Sequence, residues 1–260
     1  MASVLDSFDN LIAMSQDYGP LVRLVSARQA SVTTAATATS GSLTINRFSS
    51  NFVMPSMAAG LTGAYLTHCR MYTGLGNTIL AAALEVSLGV LTVSGNSFAA
   101  GSAMPTRKVK GTSVTTASGL AVLVATAALT ATTPTVTITY TNQSGTTGQT
   151  ATLTLPTSPV ANSGFLINPH LASGDTGIRA VTGMSISAGS AGTLTVYGLL
   201  PLAFTMAGPT AGASTVDPLV SPVPFYKVTA GDSVGFYSFG GTGSAKDLVA
   251  VVGFVGDDEI

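Results

Sequence analysis

The sequence predicts an all-β protein, and three observations support that class. Short runs that alternate β-branched polar with apolar residues recur along the chain, and residues 135–141 read Thr-Val-Thr-Ile-Thr-Tyr-Thr. A period of two is the pattern of a half-buried strand. Gly, Pro, Asn and Ser separate these runs, as turns require. From Gly111 to Gly174 the chain holds no Asp, Glu, Lys or Arg, so the outward threonines form a polar face without charge.

We predict a jelly-roll-like β-sandwich over residues 43–260. Many short strands at this spacing favour a sandwich or barrel, and the length favours a jelly roll. Residues 78–93 form either one bent strand or two strands that part at Gly89. A hairpin is expected at Asn142–Gly148 and a tight turn at Ala230-Gly-Asp232. The predicted strands lie at 64–72, 78–93, 120–130, 135–141, 150–155, 165–168, 178–187, 193–199, 224–228, 233–239 and 248–255.

Residues 1–42 are predicted to form a short N-terminal helix followed by an extended arm. Ser3 suits the N-cap, and apolar residues recur behind it at helical spacing. A helix of about two to three turns is marginal alone in water, so its apolar stripe packs on its own domain or on a neighbouring subunit. Residues 29–42 are rich in Ser, Thr and Ala, as an arm or linker is. The candidate partner-binding residues of this helix are Leu5, Phe8, Leu11 and Ile12.

The low charge of the chain limits its partners. Charged residues are 8% of the total and the net charge is -1, whereas about 25% is usual. No basic stripe for phosphates exists, so we expect no nucleic-acid partner. The most apolar run, Leu120–Thr130, is shorter than the ~20 residues of a spanning helix, so we expect no membrane partner. A neutral surface is best tolerated when copies of the chain or a partner cover it.

The sequence shows no catalytic motif, and we predict that the protein is not an enzyme. It lacks G-x-S-x-G, Walker A and H-E-x-x-H patterns. His68 and His170 are the only histidines, and Cys69 is the only cysteine, so no metal site, cofactor or intrachain disulfide is expected. A hydrolase would need two facing carboxylates, which a fold could still assemble. The interior carboxylates are Glu85, Asp175, Asp217, Asp232 and Asp247.

Two charged segments have specific settings. Gly174-Asp-Thr-Gly-Ile-Arg179 predicts an Asx-type turn that enters a strand, with Arg179 placed to pair with Asp175 or a neighbour. Arg107, Lys108 and Lys110 form a dense cationic cluster. This cluster is either a solvated loop or a docking site for an acidic patch on a partner. Asp257-Asp258-Glu259 is the acidic counterpart and could meet the cluster on another copy.

Several segments of the chain resemble a recurrent pattern of tailed-bacteriophage virion proteins, in which a Tyr-Thr-Asn-Gln hairpin precedes a Gly-Asp-Thr-Gly-Ile/Val-Arg turn. The resemblance covers about residues 65–202 and rests on strand and turn residues, so it concerns the fold more than an activity. Gln149 stands where the pattern often has Arg. The matching segments are Met104–Arg107, Thr137–Gly145, Gln149–Thr154, Ala172–Val181 and Gly192–Val196.

The resemblance implies a non-enzymatic virion component, most similar to a head decoration or cement protein. Such proteins are often trimeric and bind the major capsid protein on the capsid exterior, after synthesis in the host cytoplasm. The alternative is a tail, connector or baseplate protein with a receptor-binding role. That role needs exposed aromatic platforms, and strand alternation places most of the local aromatic residues in the core. Those aromatic residues are Tyr226, Phe236, Tyr237 and Phe239.

Overall fold

A computed structural model describes residues 20–28, 45–47, 52–53, 63–73, 78–109, 112–115, 117–207, 212–216, 226–239 and 247–257. The strands are β1 (Pro20–Arg28), β2 (Ile45–Arg47), β3 (Phe52–Val53), β4 (Gly63–Thr73), β5 (Thr78–Thr92), β6 (Ser97–Ala100), β7 (Thr106–Val109), β8 (Thr112–Thr115), β9 (Leu120–Thr130), β10 (Thr135–Asn142), β11 (Gln149–Thr154), β12 (Ser163–Leu166), β13 (Ile178–Ile186), β14 (Ala191–Ala207), β15 (Gly212–Val216), β16 (Ser233–Phe239) and β17 (Asp247–Asp257). One 3-10 turn lies at Asn168–His170.

The predicted all-β sandwich class is confirmed. Within the described residues all regular secondary structure is β-strand, apart from the one 3-10 turn, and neighbouring strands pair antiparallel. A three-stranded sheet in the order β11-β10-β13 packs on one face of an eight-stranded sheet. Side chains of both sheets share a single apolar core, as in a sandwich. Residues 1–19 and 29–44, which hold the predicted helix and most of the arm, lie outside the described residues.

The eight-stranded sheet closes on itself. β5 pairs with β14 along one edge and with β16 along the other. The circuit then runs from β16 through β2, β12 and β9 back to β14. β3 also pairs with β16, and β6 pairs with residues 89–92 of β5. Six strands therefore form a closed ring, which leaves no open edge within the circuit.

Side chains from all six strands fill the lumen of this ring. Strand alternation sends residues 81, 83 and 85 of β5 inward and residues 80, 82 and 84 toward the outer wall. Small alanines on β5 leave room for large aromatic rings from the other strands. The buried apolar lumen residues are Ile45, Ala81, Ala83, Val122, Val124, Leu199, Tyr237 and Phe239, with Leu120, Leu166 and Tyr197 packed against them.

A buried ion pair lies in the lumen. Arg47 donates two hydrogen bonds to the Glu85 carboxylate, from Nε at 2.9 Å and from Nη2 at 2.5 Å. Tyr237 Oη donates to the same carboxylate at 2.7 Å. The Arg47 guanidinium also lies 4.9 Å from the centre of the Tyr197 ring. Because β2 and β14 stand on opposite sides of the ring, this contact spans the lumen.

Local sequence choices make room for the ion pair. A Cβ at position 235 would collide with the Glu85 carboxylate, so this position of β16 requires glycine. Burial raises the pKa of Tyr237 well above its usual value, and the adjacent Glu85 charge adds to that effect. Burial alone would lower the pKa of Arg47, but its hydrogen bonds and charge interaction with Glu85 outweigh burial and raise that pKa. The arginine is therefore charged and the tyrosine is neutral.

The outer wall of the ring carries the second layer. Inward residues of β10, Val136, Ile138 and Tyr140, pack onto the wall, and the threonines between them face outward. The predicted break at Gly89 is a shift of register within one continuous strand, where Val196 faces Gly89 and Tyr197 faces Ser87. The second layer therefore rests on a wall whose shape the ring determines.

A four-stranded sheet in the order β1-β17-β4-β15 completes the described part. β1 lies within residues 1–42, where no strand was predicted, just before the stretch 29–42 read as an arm or linker, and it pairs with β17 over its whole length. Of the strand predicted at 224–228, residues 224 and 225 lie outside the described residues, and Val228 forms an antiparallel bridge with Ala64. Cys69 on β4 is buried. No helix among the described residues has the length and apolar character needed to cross a membrane.

We expect Glu85→Gln to destabilise the protein by about 3–5 kcal/mol, because removal of one charge from a buried pair leaves the other uncompensated. The free energy of unfolding in urea measures this loss. Tyr237→Phe is the matched control, since it removes one hydrogen bond to the same carboxylate and keeps the charge pair. Its expected loss is about 1.5–3 kcal/mol. A Glu85→Gln loss no larger than that of the control would contradict the structural role of the pair.

The Cys69 thiol should be inert in the folded protein. Burial raises its pKa from 9.0 to about 12, and the thiolate is the reactive form. We expect a thiol reagent at pH 8 to modify Cys69 only at the rate of unfolding. Since the thiol is neutral when folded, its contribution to stability is complete below pH 9.0 and is lost as the pH rises toward about 12. Rapid labelling under native conditions would show that the Cys69 thiol is accessible to solvent and would contradict its burial.

Candidate functional site

The outward face of the three-stranded sheet is a surface of hydroxyl groups without charge. We call it the hydroxyl face. Its side chains are exposed or half-buried, while the residues between them are buried in the core. The hydroxyl face consists of Thr135, Thr137, Thr139, Thr141, Thr150, Thr152, Thr154, Thr182 and Ser185.

The register places these hydroxyl groups in rows. Across β10 and β11, Thr135 faces Thr154, Thr137 faces Thr152 and Thr139 faces Thr150. On the other side Thr137 faces Ser185. Neighbours stand about 4.7–4.9 Å apart across strands and about 6.6–6.8 Å apart along them. Each threonine pair also adds roughly 0.2–1 kcal/mol to the sheet. The face is therefore a regular array that offers methyl groups and hydroxyl groups but no ion pair to a partner.

One end of the hydroxyl face is fixed by a group of polar side chains that we call the hairpin lock: Tyr140, Asn142, Gln143 and Asp175. Tyr140 Oη donates to Asp175 Oδ2 at 2.7 Å and accepts from the Ala172 N–H at 2.9 Å. Asn142 Nδ2 donates to Asp175 Oδ1 at 2.6 Å. Both carboxylate oxygens of Asp175 thus bind neutral donors from β10.

Backbone groups complete the lock. Asn142 Oδ1 accepts from the N–H groups of Ser144 and Thr146, at 3.0 and 2.9 Å. Gln143 Oε1 accepts from the Thr176 and Gly177 N–H groups at 3.0 and 3.3 Å. The turn at 142–148 is therefore joined to residues 172–177 by side chains of β10 and by the first turn residue.

The predicted pair between Asp175 and Arg179 is wrong. Tyr140 and Asn142 occupy both oxygens of Asp175, and Arg179 Nε has no hydrogen-bond partner among the described residues. The Arg179 guanidinium instead lies beside the hairpin tip, where a Cβ at Gly145 would stand 3.3 Å from Nη1. A backbone turn is present, since the Asp175 N–H donates to the Ala172 carbonyl at 2.9 Å, but it is not the predicted Asx-type turn, because the Gly177 N–H donates to Gln143 Oε1 and not to Asp175.

The lock holds Tyr140 in its neutral form. Burial raises its pKa to about 12, the hydrogen bond to Asp175 reinforces that shift, and the Ala172 N–H opposes it. The stability that this neutral phenol supplies is complete below pH 10.0 and is lost as the pH rises through about 12. The Tyr140 phenol is therefore neutral across the physiological range.

The structure describes only part of the predicted partner-binding set. Leu5, Phe8, Leu11, Ile12 and Lys110 lie outside the described residues. Arg107 and Lys108 lie on β7, where Arg107 pairs with Val114 and Lys108 with Ser113 of β8. The segment is thus a strand rather than the loop considered from the sequence, and the hydroxyl face and hairpin lock do not include it.

Glu85, Asp175 and Asp232 bind different partners in separate parts of the fold. Glu85 binds Arg47 in the lumen, Asp175 belongs to the hairpin lock, and Asp232 accepts from the Thr229 N–H in a turn. Among the described residues no group of three or more His, Cys, Asp or Glu side chains is arranged to hold a metal ion. The most polar interior site, the pair of Arg47 and Glu85, was not recognised from the sequence. Its signal was a lone glutamate within an otherwise uncharged strand, β5.

No protein-family model matches the chain, and no curated protein matches it. Among solved structures, a mutant VP2 protein of infectious bursal disease virus in derived T=1 particles is 13% identical, with a TM-score of 0.11. The match covers 90% of this chain and 40% of that protein's chain. A TM-score this low does not bear on the fold or the function of this chain.

We expect Tyr140→Phe to loosen the hairpin lock selectively. The change removes a donor to Asp175 and an acceptor for the Ala172 N–H, which costs about 1–3 kcal/mol. Hydrogen exchange at Ala172 and Asp175 should accelerate, while exchange in the ring stays the same. Thr137→Val on the outward face of the same strand is the matched control and should leave these amides protected. Equal exchange in both variants would show that the lock does not hold the two segments together.

Proposed function

We propose that this chain is a non-enzymatic structural protein of a virus particle. In this proposal it binds the shell built by the major capsid protein and acts as a decoration or cement protein of a tailed bacteriophage. The supporting observation is the hairpin lock. The Tyr-Thr-Asn-Gln and Gly-Asp-Thr-Gly-Ile-Arg segments, which carry the resemblance to phage virion proteins, are the segments that Tyr140, Asn142, Gln143 and Asp175 join.

The chemistry of the hydroxyl face suits this role. The centres of protein interfaces are depleted in charged residues, and the hydroxyl face has none. A contact without charge is individually weak. Repetition over a symmetric shell multiplies such contacts and gives high overall affinity. The proposal therefore assigns to the hydroxyl face the contact with the shell.

The rival proposal is a tail or baseplate protein that binds a receptor through aromatic side chains. Phe236 and Tyr237 are fully buried and Phe239 is 6% exposed. Tyr226 is half-buried against the core. The aromatic residues considered from the sequence therefore supply no exposed platform for a glycan, which favours the shell-binding role.

Antibody labelling of purified virus particles tests the proposal. We expect electron microscopy to show label on the head, at sites that repeat with the symmetry of the shell. Label on the tail would favour the rival role. Particles that contain none of this chain by mass spectrometry would overturn both.

A variant tests the contact itself. Thr137→Lys places a charge in the middle of the hydroxyl face, and burial of an uncompensated charge costs at least ~1.4 kcal/mol, or about tenfold in affinity. When the variant is added to shells prepared without this protein, we expect its affinity for them to be about tenfold lower than that of the wild type. Ser94→Lys, in an exposed turn, is the matched control and should bind as the wild type does. Equal binding of both variants would remove the hydroxyl face from the contact.

A further inference from the structure

β11 is an open edge of the three-stranded sheet. Its partner among the described strands is β10, on one side. The Leu155 N–H donates to the Pro134 carbonyl at 2.8 Å. This bond shows which residues of β11 form the hydrogen-bonded pairs with β10. Residues 149, 151 and 153 therefore direct their backbone groups to β10, and the N–H and C=O groups of Thr150, Thr152 and Thr154 point away from the sheet. These three residues are exposed.

The opposite edge of the same sheet, β13, is hydrogen-bonded to neighbouring segments at both of its ends. Asn96 Oδ1 accepts from the Ile186 N–H at 3.0 Å. The Met104 N–H donates to the Arg179 carbonyl at 2.7 Å, and Ser118 and Ile178 exchange two backbone hydrogen bonds. β13 is thus capped at both of its ends by neighbouring segments, whereas no described residue forms such a bond with the outward backbone groups of β11.

The sequence of β11 also lacks the usual protection of an edge strand. Natural edges carry lysines, prolines or bulges that prevent pairing with another chain. β11 reads Gln-Thr-Ala-Thr-Leu-Thr, and its pairing with β10 is continuous from residue 149 to 154. An edge of this kind is a template for strand addition.

We propose that β11 pairs antiparallel with β11 of a second copy of this chain, with Thr152 facing its own symmetry mate. In that register Thr150 of one copy faces Thr154 of the other, so threonine meets threonine as it does between β10 and β11. Three outward residues on each copy give about six new backbone hydrogen bonds, because each such pair in an antiparallel ladder exchanges two. The strand carries no charge, so no like charges meet at the twofold axis.

The pairing would make one six-stranded sheet from two copies. Its outward side would join the two hydroxyl faces into one continuous surface, and its inward side would continue the layer that includes Ala151 and Leu153. A twofold contact of this kind differs from the contacts within a trimer, so it can link one trimer to another. The inference rests on the edge geometry and does not depend on the shell-binding proposal.

Substitution of Thr152 by residues of opposite charge tests the pairing. Thr152→Lys and Thr152→Glu each place like charges opposite each other at the twofold axis. We expect the mass in solution, measured by light scattering after gel filtration, to fall to half the wild-type value for each variant alone. An equimolar mixture of the two should regain the wild-type mass, because opposite charges then face each other. Thr137→Lys, one strand away from the edge, is the matched control and should keep the wild-type mass.

Unchanged thermal unfolding of the variants shows that folding is intact, as expected for an exposed side chain. A wild-type chain that is monomeric, or variants that keep its mass, would overturn the proposal. The same holds if the mixture does not regain the mass. If Thr152→Pro weakens shell binding while the wild type is monomeric, the edge accepts a strand of another protein, which also overturns self-pairing. Since Thr137→Lys tests shell binding and Thr152→Lys tests pairing, failure of one proposal is distinguishable from failure of the other.

Discussion

The contact of Arg47 with Glu85 in the lumen is the constraint on which the rest of the structure depends. β2 contributes three residues to the ring, paired with β16 on one side and over two positions with β12 on the other. So short a strand has few ladder hydrogen bonds to fix its place. The ion pair adds a tie from β2 to β5, and the contact of Arg47 with Tyr197 adds one to β14. The wall that supports the three-stranded sheet is the outside of this ring.

The pair selects a register more than it adds stability. Burial of two charges costs about as much as their attraction returns, and an apolar replacement of similar volume is often as stable. A slip of one residue in β5, however, would move Glu85 from the lumen to the outer wall. There the charge would lie among the apolar side chains that pack against β10.

Local patterns in the sequence predicted much of the fold but not its closure. The bounds of β9 and β16 follow from apolar runs that turn residues delimit, and the hairpin after β10 follows from its turn residues, all of which act between near neighbours. Closure requires residues 79–85 to pair with 233–239, and no local pattern encodes so distant a contact. β2 is too short to show a period. The sequence pattern identified the two segments that form the hairpin lock. It did not identify the partners of Asp175, because Tyr140 lies 35 positions away in the sequence.

A double-mutant cycle on the lumen pair tests this account most directly. Arg47→Met and Glu85→Leu would be made singly and together, and the free energy of unfolding measured for each. The account predicts that each single variant is destabilised by about 3–5 kcal/mol, since each leaves a buried charge. The double variant is expected to lose no more than about 3 kcal/mol, the cost of leaving the buried Tyr237 hydroxyl without its acceptor. Losses that simply add in the double variant would show that the two residues act independently and that the pair does not hold the ring.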